Sequence, residues 1–227
     1  MTQRWWFRFD LDLRDSLGTR THPNALVVQE DRNLVMGPQR VLDLDTDDDL
    51  AAAYLAARDH RPLPLGGFVV LRGCLPAAPW TYQAVVHDFE LTPSCRPGDV
   101  RRSLCGVVRD ALKRGLGFAA AEPLGRWHDR GLSLEEMIEA FHETILELSA
   151  SLEESFRLTL LLEDLDQVEQ VSHLLRSRLL RRASRSFRTV DGDAAVVEVR
   201  DGTAKYHFRF VPGTLDGYMV TRARVGA

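Results

Sequence analysis

Long apolar runs are missing from this sequence. No stretch approaches the roughly 20 apolar residues that a membrane-spanning helix needs. The N-terminal segment, residues 1–8, is interrupted by charge at once and does not fit a secretory signal peptide. These absences predict a cytoplasmic protein that has no membrane partner.

Cysteine is scarce, and familiar catalytic motifs are absent. The three cysteines, Cys74, Cys95 and Cys105, form no CxxC pair and leave one thiol over in any disulfide scheme, which favours free thiols in a reducing compartment. The seven histidines form no HExxH or HxH pattern. We therefore expect no metal and no cofactor. Rossmann, phosphate-loop and GxSxG patterns are also missing, so no catalytic residue is assigned.

Lysine is nearly absent, since Lys113 and Lys205 are the only two, and the positive charge is carried by arginine. Basic residues number 29 and acidic residues 33, giving a net charge of −4. A general nucleic-acid-binding protein needs a cationic surface to displace counterions from phosphates. Nucleic acid is therefore not an expected partner. The hydrophobic content of 44% is enough for a proper core.

Apolar patterning predicts alternating strands and helices. Residues 4–14 alternate with period two, as in a half-buried strand. Five short continuous apolar runs are typical of central strands covered on both faces: residues 25–28, 68–71, 84–86, 118–121 and 158–162. Four helix starts are predicted from capping residues, at Thr46 with Asp49, Asp99, Ser133 with Glu136, and Asp164 with Gln167.

This alternation predicts a layered α/β domain over residues 1–182. The remaining residues, 183–227, predict an antiparallel β-meander with strands at residues 194–200, 204–211 and 217–224. A three-stranded meander needs a cover for its apolar face. We expect that cover to be the parent domain, a protein partner or a second copy of the chain. The residues that form the face are Tyr206, Phe208 and Phe210.

Three segments, residues 25–38, 65–88 and 101–148, follow one another in an order that is more specific than any single motif in them. That order, over roughly residues 20–180, resembles the macro-domain family. Residues 25–38 resemble its buried strand, Asn-Ala-Ala-Asn turn and glycine-rich loop. Residues 65–88 are similar to its Gly-containing strand, Leu-Pro-Ala turn and strand ending in His. Residues 101–148 resemble its helix, strand, second phosphate loop and following helix. The resemblance implies a three-layer fold, with a mixed sheet flanked by helices, and ADP-ribose or a related nucleotide as the ligand class.

The first loop departs from the family pattern. Gln29, Glu30 and Asp31 stand where the family uses Asn to hold a ribose, and the two acids would place negative charge beside a pyrophosphate. Of the glycine loop Gly37 remains, followed by Pro38, which has no N–H to donate. These departures oppose strong binding of ADP-ribose.

The second loop keeps its glycine, but the three residues after that glycine differ from the family pattern. Arg126, Trp127 and His128 replace the family's Thr-Gly continuation. Two interpretations stay open: a rebuilt site in which Arg126 binds phosphate and Trp127 stacks on a base, or a loop whose Trp packs against the domain. The candidate ligand-binding residues are Gln29, Asp31, Gly37, Leu124, Gly125, Arg126, Trp127 and His128.

Two further features allow a purely structural interpretation as well as a functional one. His87 and Asp88 are adjacent on a strand and point to opposite faces, so a structural role is expected for His87 rather than a base with an orienting acid. Six arginines between residues 176 and 188 would suit phosphates or an acidic partner, or form a solvated face.

The leading functional hypothesis is a noncatalytic binding or assembly module on a degenerate macro-like fold, with weak or lost nucleotide binding. The first alternative is an ADP-ribose-binding macro domain or ADP-ribosyl hydrolase with a rebuilt site. The second is an accessory domain like the N-terminal domain of leucine aminopeptidases. The missing first-loop Asn and the reduced glycine loop disfavour an enzyme.

Overall fold

The computed structural model describes residues 5–36, 57–75, 77–182, 189–191, 194–201, 204–210 and 217–222. The strands are β1 (Trp5–Leu13), β2 (Ala25–Asp31), β3 (Phe68–Leu75), β4 (Ala78–His87), β5 (Phe118–Ala121), β6 (Phe156–Leu162), β7 (Thr189–Asp191), β8 (Ala194–Asp201), β9 (Ala204–Phe210) and β10 (Gly217–Arg222). The helices are α1 (Pro97–Lys113), α2 (Leu134–Ser151) and α3 (Leu165–Arg182), and a 3-10 turn spans Arg14–Ser16.

The strands form one mixed sheet in the order β3-β4-β2-β5-β6-β1-β10-β9-β8-β7. β4, β2, β5, β6 and β1 run parallel, and β3 is antiparallel to β4. Because parallel strands end at the same edge of a sheet, five carboxyl ends meet on one side of the molecule. The predicted α/β class, with a mixed sheet flanked by helices, is confirmed.

The core lies between the sheet and the three helices. Phe7, Phe9 and Leu11 occupy one face of β1 and are buried, and the Phe9 ring lies 6.1 Å from that of Phe141 on α2. On the opposite face of β1, buried Asp10 accepts hydrogen bonds from Arg8 and from Arg157 of β6 (2.7 Å). The buried charge of Asp10 is therefore paired with two arginines, as a buried charge requires.

Two predicted helix starts are confirmed by hydrogen bonds. Ser133 and Glu136 form the capping box of α2, in which Ser133 Oγ accepts from Glu136 N–H at 3.2 Å. Asp164 Oδ1 accepts from Gln167 N–H at 2.8 Å at the start of α3. None of the helices in the described ranges is long and apolar enough to cross a bilayer.

The prediction that Asp99 caps α1 is wrong. The helix begins at Pro97 after Arg96, which makes no side-chain capping bond. Asp99 lies in the first turn instead and pairs with Arg102. Proline explains why the helix starts two residues before Asp99, because its fixed φ suits the first helical position and it has no N–H to leave unpaired.

The C-terminal strands continue the sheet beyond β1. β10 pairs antiparallel with β1, with Val220 opposite Phe7, and β9, β8 and β7 follow in order. The side chains of Tyr206, Phe208 and Phe210 lie outside the described part of the structure, as do the predicted helix start at residues 46–49, Gly37 and Pro38. A docking role for the meander stays a prediction.

Replacing Ser133 by alanine should lower the free energy of unfolding by about 1 kcal/mol, because Glu136 N–H loses its acceptor. Urea denaturation measures the change. Ser151→Ala is the matched control, since Ser151 Oγ donates to the Glu147 carbonyl in the exposed last turn of the same helix. That change should stay within about 0.5 kcal/mol. Equal losses in the two variants would contradict the assignment.

Candidate functional site

A pocket of about 270 Å³ lies at the edge where the parallel strands end. Arg14 follows β1, Glu122 follows β5 and Glu163 follows β6. Ligands of open α/β sheets bind outside these carboxyl ends. The residues that line the pocket are Arg14, Gln29, Glu122, Pro123, Arg126, His128, Glu163 and Gln167.

The lining of the pocket is polar and carries both signs of charge. Two of the lining residues, Arg14 and Glu122, form an ion pair at 3.0 Å. Burial raises the pKa of Glu122, and the Arg14 charge opposes that rise. Arg126 and His128, which also line the pocket, are exposed. This mixture suits a polar ligand group with hydrogen-bonding capacity more than a large apolar one.

The second loop, residues 122–131, depends on two glycines. Gly125 has a φ of +80°, and a Cβ there would lie 2.9 Å from Cys95 Sγ. A Cβ on Gly131 would lie 2.4 Å from the Trp127 backbone nitrogen. Leu132 N–H donates to the Gly125 carbonyl at 2.7 Å and closes the turn. The loop therefore has a tight, fixed shape that points the Gly125 N–H toward β2.

The side chain of Gln29 joins β2 to this loop. Its Oε1 accepts from Gly125 N–H (3.1 Å), and its Nε2 donates to the Arg126 carbonyl (3.0 Å). These two bonds fix the orientation of the amide. The Gly125 N–H, which a phosphate-binding loop would offer to a ligand, is thus engaged by the protein itself.

His87, at the end of β4, holds Gln29 from the other side. Its Nε2 lies 2.9 Å from Gln29 Oε1, an acceptor, so Nε2 carries the proton. Its Nδ1 lies 3.2 Å from Ser94 Oγ. Burial lowers the pKa of His87 to about 4, so the ring is neutral at pH 7. Asp88 is the first residue after β4, so the two residues are not both on the strand as predicted, and Asp88 pairs with Arg32.

Glu30 and Asp31, which were expected to place negative charge beside a pyrophosphate, are both buried, and their carboxylates bond to the backbone after β2. Glu30 Oε1 accepts from the N–H groups of Asp31 (2.9 Å) and Met36 (2.7 Å). The Asp31 carboxylate accepts from those of Asn33 (3.1 Å) and Val35 (2.7 Å). A turn after β2 leaves backbone donors unpaired, and these carboxylates are the nearest acceptors.

An aromatic cluster lies beside the second loop. The Phe89 ring stacks on His87 at 5.5 Å and lies 5.7 Å from the ring of Trp127. Trp127 is 37% exposed, so one part of its indole packs and another part faces solvent. Both interpretations of this loop therefore keep a structural basis: the indole packs against the domain and still offers a surface for stacking.

The structure brings several of the predicted site residues together. Gln29, Gly125 and Arg126 share hydrogen bonds, and Trp127 and His128 contact edge to face. The side chain of Leu124 is fully buried, so only the backbone of this residue is available to a ligand. Asp31 is engaged by the first loop, and Gly37 lies outside the described residues.

Other residues of the site were missed in the sequence. Arg14, Glu122 and Glu163 each stand directly after a parallel strand. The rule that ligands bind at carboxyl ends of such strands would have identified all three. Within the described ranges, no group of three or more His, Cys, Asp or Glu side chains is placed to hold a metal ion.

Comparison with solved structures identifies the fold. The macrodomain of Oceanobacillus iheyensis with ADP is 12% identical, with a TM-score of 0.60 over 79% of this chain and 100% of that one. A variant of that macrodomain with ADPR is 15% identical, with a TM-score of 0.57 over 76% and 94%. The macro domain of ganglioside induced differentiation associated protein 2 is 12% identical, with a TM-score of 0.52 over 74% and 83%.

No family model and no curated protein matches the sequence. The likeness therefore concerns the fold: this chain has a divergent macrodomain fold, and the predicted resemblance is confirmed.

Burial raises the pKa of Glu30 to about 7 from an ordinary value of 4.5. The folded protein thus keeps a proton that the unfolded chain releases, and Glu30 lowers stability progressively as the pH rises from about 4.5 to about 7. The Gln variant has no such proton to lose. The free energy of unfolding of Glu30→Gln minus that of wild type should therefore grow by about 1–3 kcal/mol as the pH rises from about 5 to about 8.

Urea denaturation across this range measures the difference. The neutral side chain fits the site because Gln83 Oε1 is buried without a hydrogen-bond partner and can accept from it after an amide rotation. Glu153→Gln, at an exposed position, is the matched control. A Glu30→Gln profile parallel to wild type would contradict the raised pKa.

Proposed function

We propose that this chain is a noncatalytic binding module on a macrodomain fold, with weak or lost affinity for ADP-ribose and related nucleotides. The observation that carries the proposal is the Gln29 side chain, which engages the Gly125 N–H at 3.1 Å and the Arg126 carbonyl at 3.0 Å. A phosphate at this loop would need that N–H. A nucleotide must therefore displace an amide that is already well bonded.

The first loop supports the same conclusion. The N–H groups of residues 31, 33, 35 and 36 donate to the carboxylates of Glu30 and Asp31. Leaving a buried donor or acceptor without its partner costs about 1–3 kcal/mol. Drawing these N–H groups to a ligand would strand two buried carboxylates, so nucleotide binding works against several internal bonds together.

The state of His87 favours a noncatalytic role. A general base must reach the proton that it removes, directly or through one water. The His87 ring is buried, and both of its nitrogens lie within hydrogen-bond distance of protein groups, Gln29 and Ser94. Its neutral form at pH 7 therefore serves to position Gln29.

The alternative of a rebuilt ADP-ribose site has specific support. Trp127 is 37% exposed beside the pocket, and Arg126 and His128 reach into its rim. An indole can stack on a base, and a guanidinium can bind phosphate. The aminopeptidase-like alternative rests on the fold alone.

Titration calorimetry with ADP-ribose tests the proposal. Wild-type protein should give weak or no binding, because the Gly125 N–H is engaged by Gln29 and the neighbouring carboxylates are engaged by the first loop. A dissociation constant in the low micromolar range would overturn it.

Variants of the second loop separate the two candidate functions. If wild type binds, Arg126→Ala and Trp127→Ala should each weaken that binding at least about tenfold under the rebuilt-site alternative, in the range expected for a lost stacking or charge contact. Arg101→Ala, at an exposed position on α1, is the matched control and should bind as wild type does.

A further inference from the structure

A second cavity lies at the start of helix α1, apart from the candidate ligand pocket. It measures about 390 Å³, and none of its described lining residues belongs to that pocket. Its lining comes from the loop after β4, the first two turns of α1 and Leu65, which precedes β3. We call this space the α1 cavity.

Part of the α1 cavity is apolar. Leu65, Leu91 and Pro93 contribute to its lining, and Leu91 is 43% exposed. Cys95 also contributes, and burial raises the pKa of its thiol to about 12, so the sulfur is uncharged at pH 7. Apolar surface is stabilised when it leaves water. This part of the lining therefore favours a ligand with an apolar side chain.

The rest of the lining carries charge of both signs. Arg96 is exposed, and the side chain of Arg102 is 60% exposed. Asp99 lies in the first turn of α1 and is 4% exposed, and its Oδ1 accepts a hydrogen bond from Arg102. A simple anion would meet the Asp99 carboxylate here, and a simple cation would meet two guanidinium groups. A ligand that carries both charges matches this lining better than either ion does.

The second carboxylate oxygen of Asp99 lacks a donor. Oδ2 is buried, and within the described part of the chain no donor lies within hydrogen-bond distance of it. Buried polar atoms are almost always paired, because an unpaired atom has lost its bonds to water without replacing them. An ammonium group or a water molecule held in the cavity would satisfy this oxygen.

The start of the helix explains part of this arrangement. The macrodipole stabilises an acid in the first turn, which accounts for an aspartate at position 99. The bond from Arg102 accounts for Oδ1, but neither effect accounts for the unpaired Oδ2. The helix start also leaves a donor for a ligand. Arg96 makes no capping bond, and Gly98 lies in the first turn, where its N–H has no acceptor within the helix.

We propose that the α1 cavity binds a free α-amino acid with an apolar side chain. The ammonium group of the ligand donates to the Asp99 carboxylate once the exposed Arg102 side chain turns outward. The carboxylate group of the ligand binds Arg96 and the Gly98 N–H, as anions do at helix starts. The ligand side chain lies against the apolar part of the lining. The proposal is independent of the proposed function, since the two sites have different linings.

Titration calorimetry on the full chain tests the ligand class, with L-leucine, L-methionine and L-phenylalanine as probes. At least one of the three should bind saturably to wild type. The N-acetyl form of that amino acid, which has no ammonium group, and its amide, which has no carboxylate, should each bind at least about tenfold more weakly. Glycine should also bind at least about tenfold more weakly, because it has no apolar side chain to bury.

Variants of the lining test the location. Arg96→Ala removes the partner of the ligand carboxylate, and Leu91→Ser removes part of the apolar lining. Both positions are exposed, so the variants should fold, and each should weaken binding at least about tenfold. Arg101→Ala is the matched control, an exposed arginine of the same helix outside the described lining, and it should bind as wild type does. Circular dichroism establishes that each variant is folded.

Three results overturn the proposal. If none of the three amino acids binds saturably, a water molecule is left as the donor to Asp99 Oδ2. If the N-acetyl form or the amide binds as tightly as the free amino acid, the protein does not recognise both charges. If Arg96→Ala or Leu91→Ser binds as wild type does, the ligand lies outside the α1 cavity.

Discussion

The proposed function depends on the hydrogen bonds at the end of β2. This strand lies between β4 and β5 in the parallel part of the sheet, and its last three side chains are all engaged by protein groups. Gln29 bonds to the second loop, and Glu30 and Asp31 bond to the backbone after the strand. The donors that a phosphate would use at Gly125 are therefore satisfied before any ligand arrives, and the loops keep their shape without one.

Under the proposed function, the same contacts explain how a macrodomain fold persists without its ligand. Gln29 and Gly125 are 96 residues apart, yet their bond ties the second loop to the sheet. His87 supports Gln29 from β4 and is itself held near Ser94. Buried polar groups that are fully paired make a rigid arrangement, because breaking one bond leaves several groups unsatisfied in a low-dielectric interior. We infer that the cleft is stabilised from within by side chains that take the place of a ligand.

Local features were predictable from the sequence, and long-range ones were not. The run at residues 118–121 and the Ser133–Glu136 box lie where predicted, because period and capping act over a few residues. The roles of Gln29 and Glu30 depend on partners such as Gly125 and Gln83, distant in the sequence. From its residue type alone, Glu30 is predicted to repel a phosphate. Its hydrogen-bond partners, which are backbone N–H groups and the Gln83 amide, are known only from the fold.

The state of the Gly125 amide tests the central claim most directly. In a ¹⁵N-labelled sample, the backbone resonances of Gly125 and Arg126 can be followed while ADP-ribose is added in excess. If Gln29 holds the loop as the structure has it, these resonances should stay in place, as should that of Leu132, whose N–H closes the turn. A saturable shift of the Gly125 resonance, with release of the Gln29 side-chain amide from its bonded position, would contradict the account.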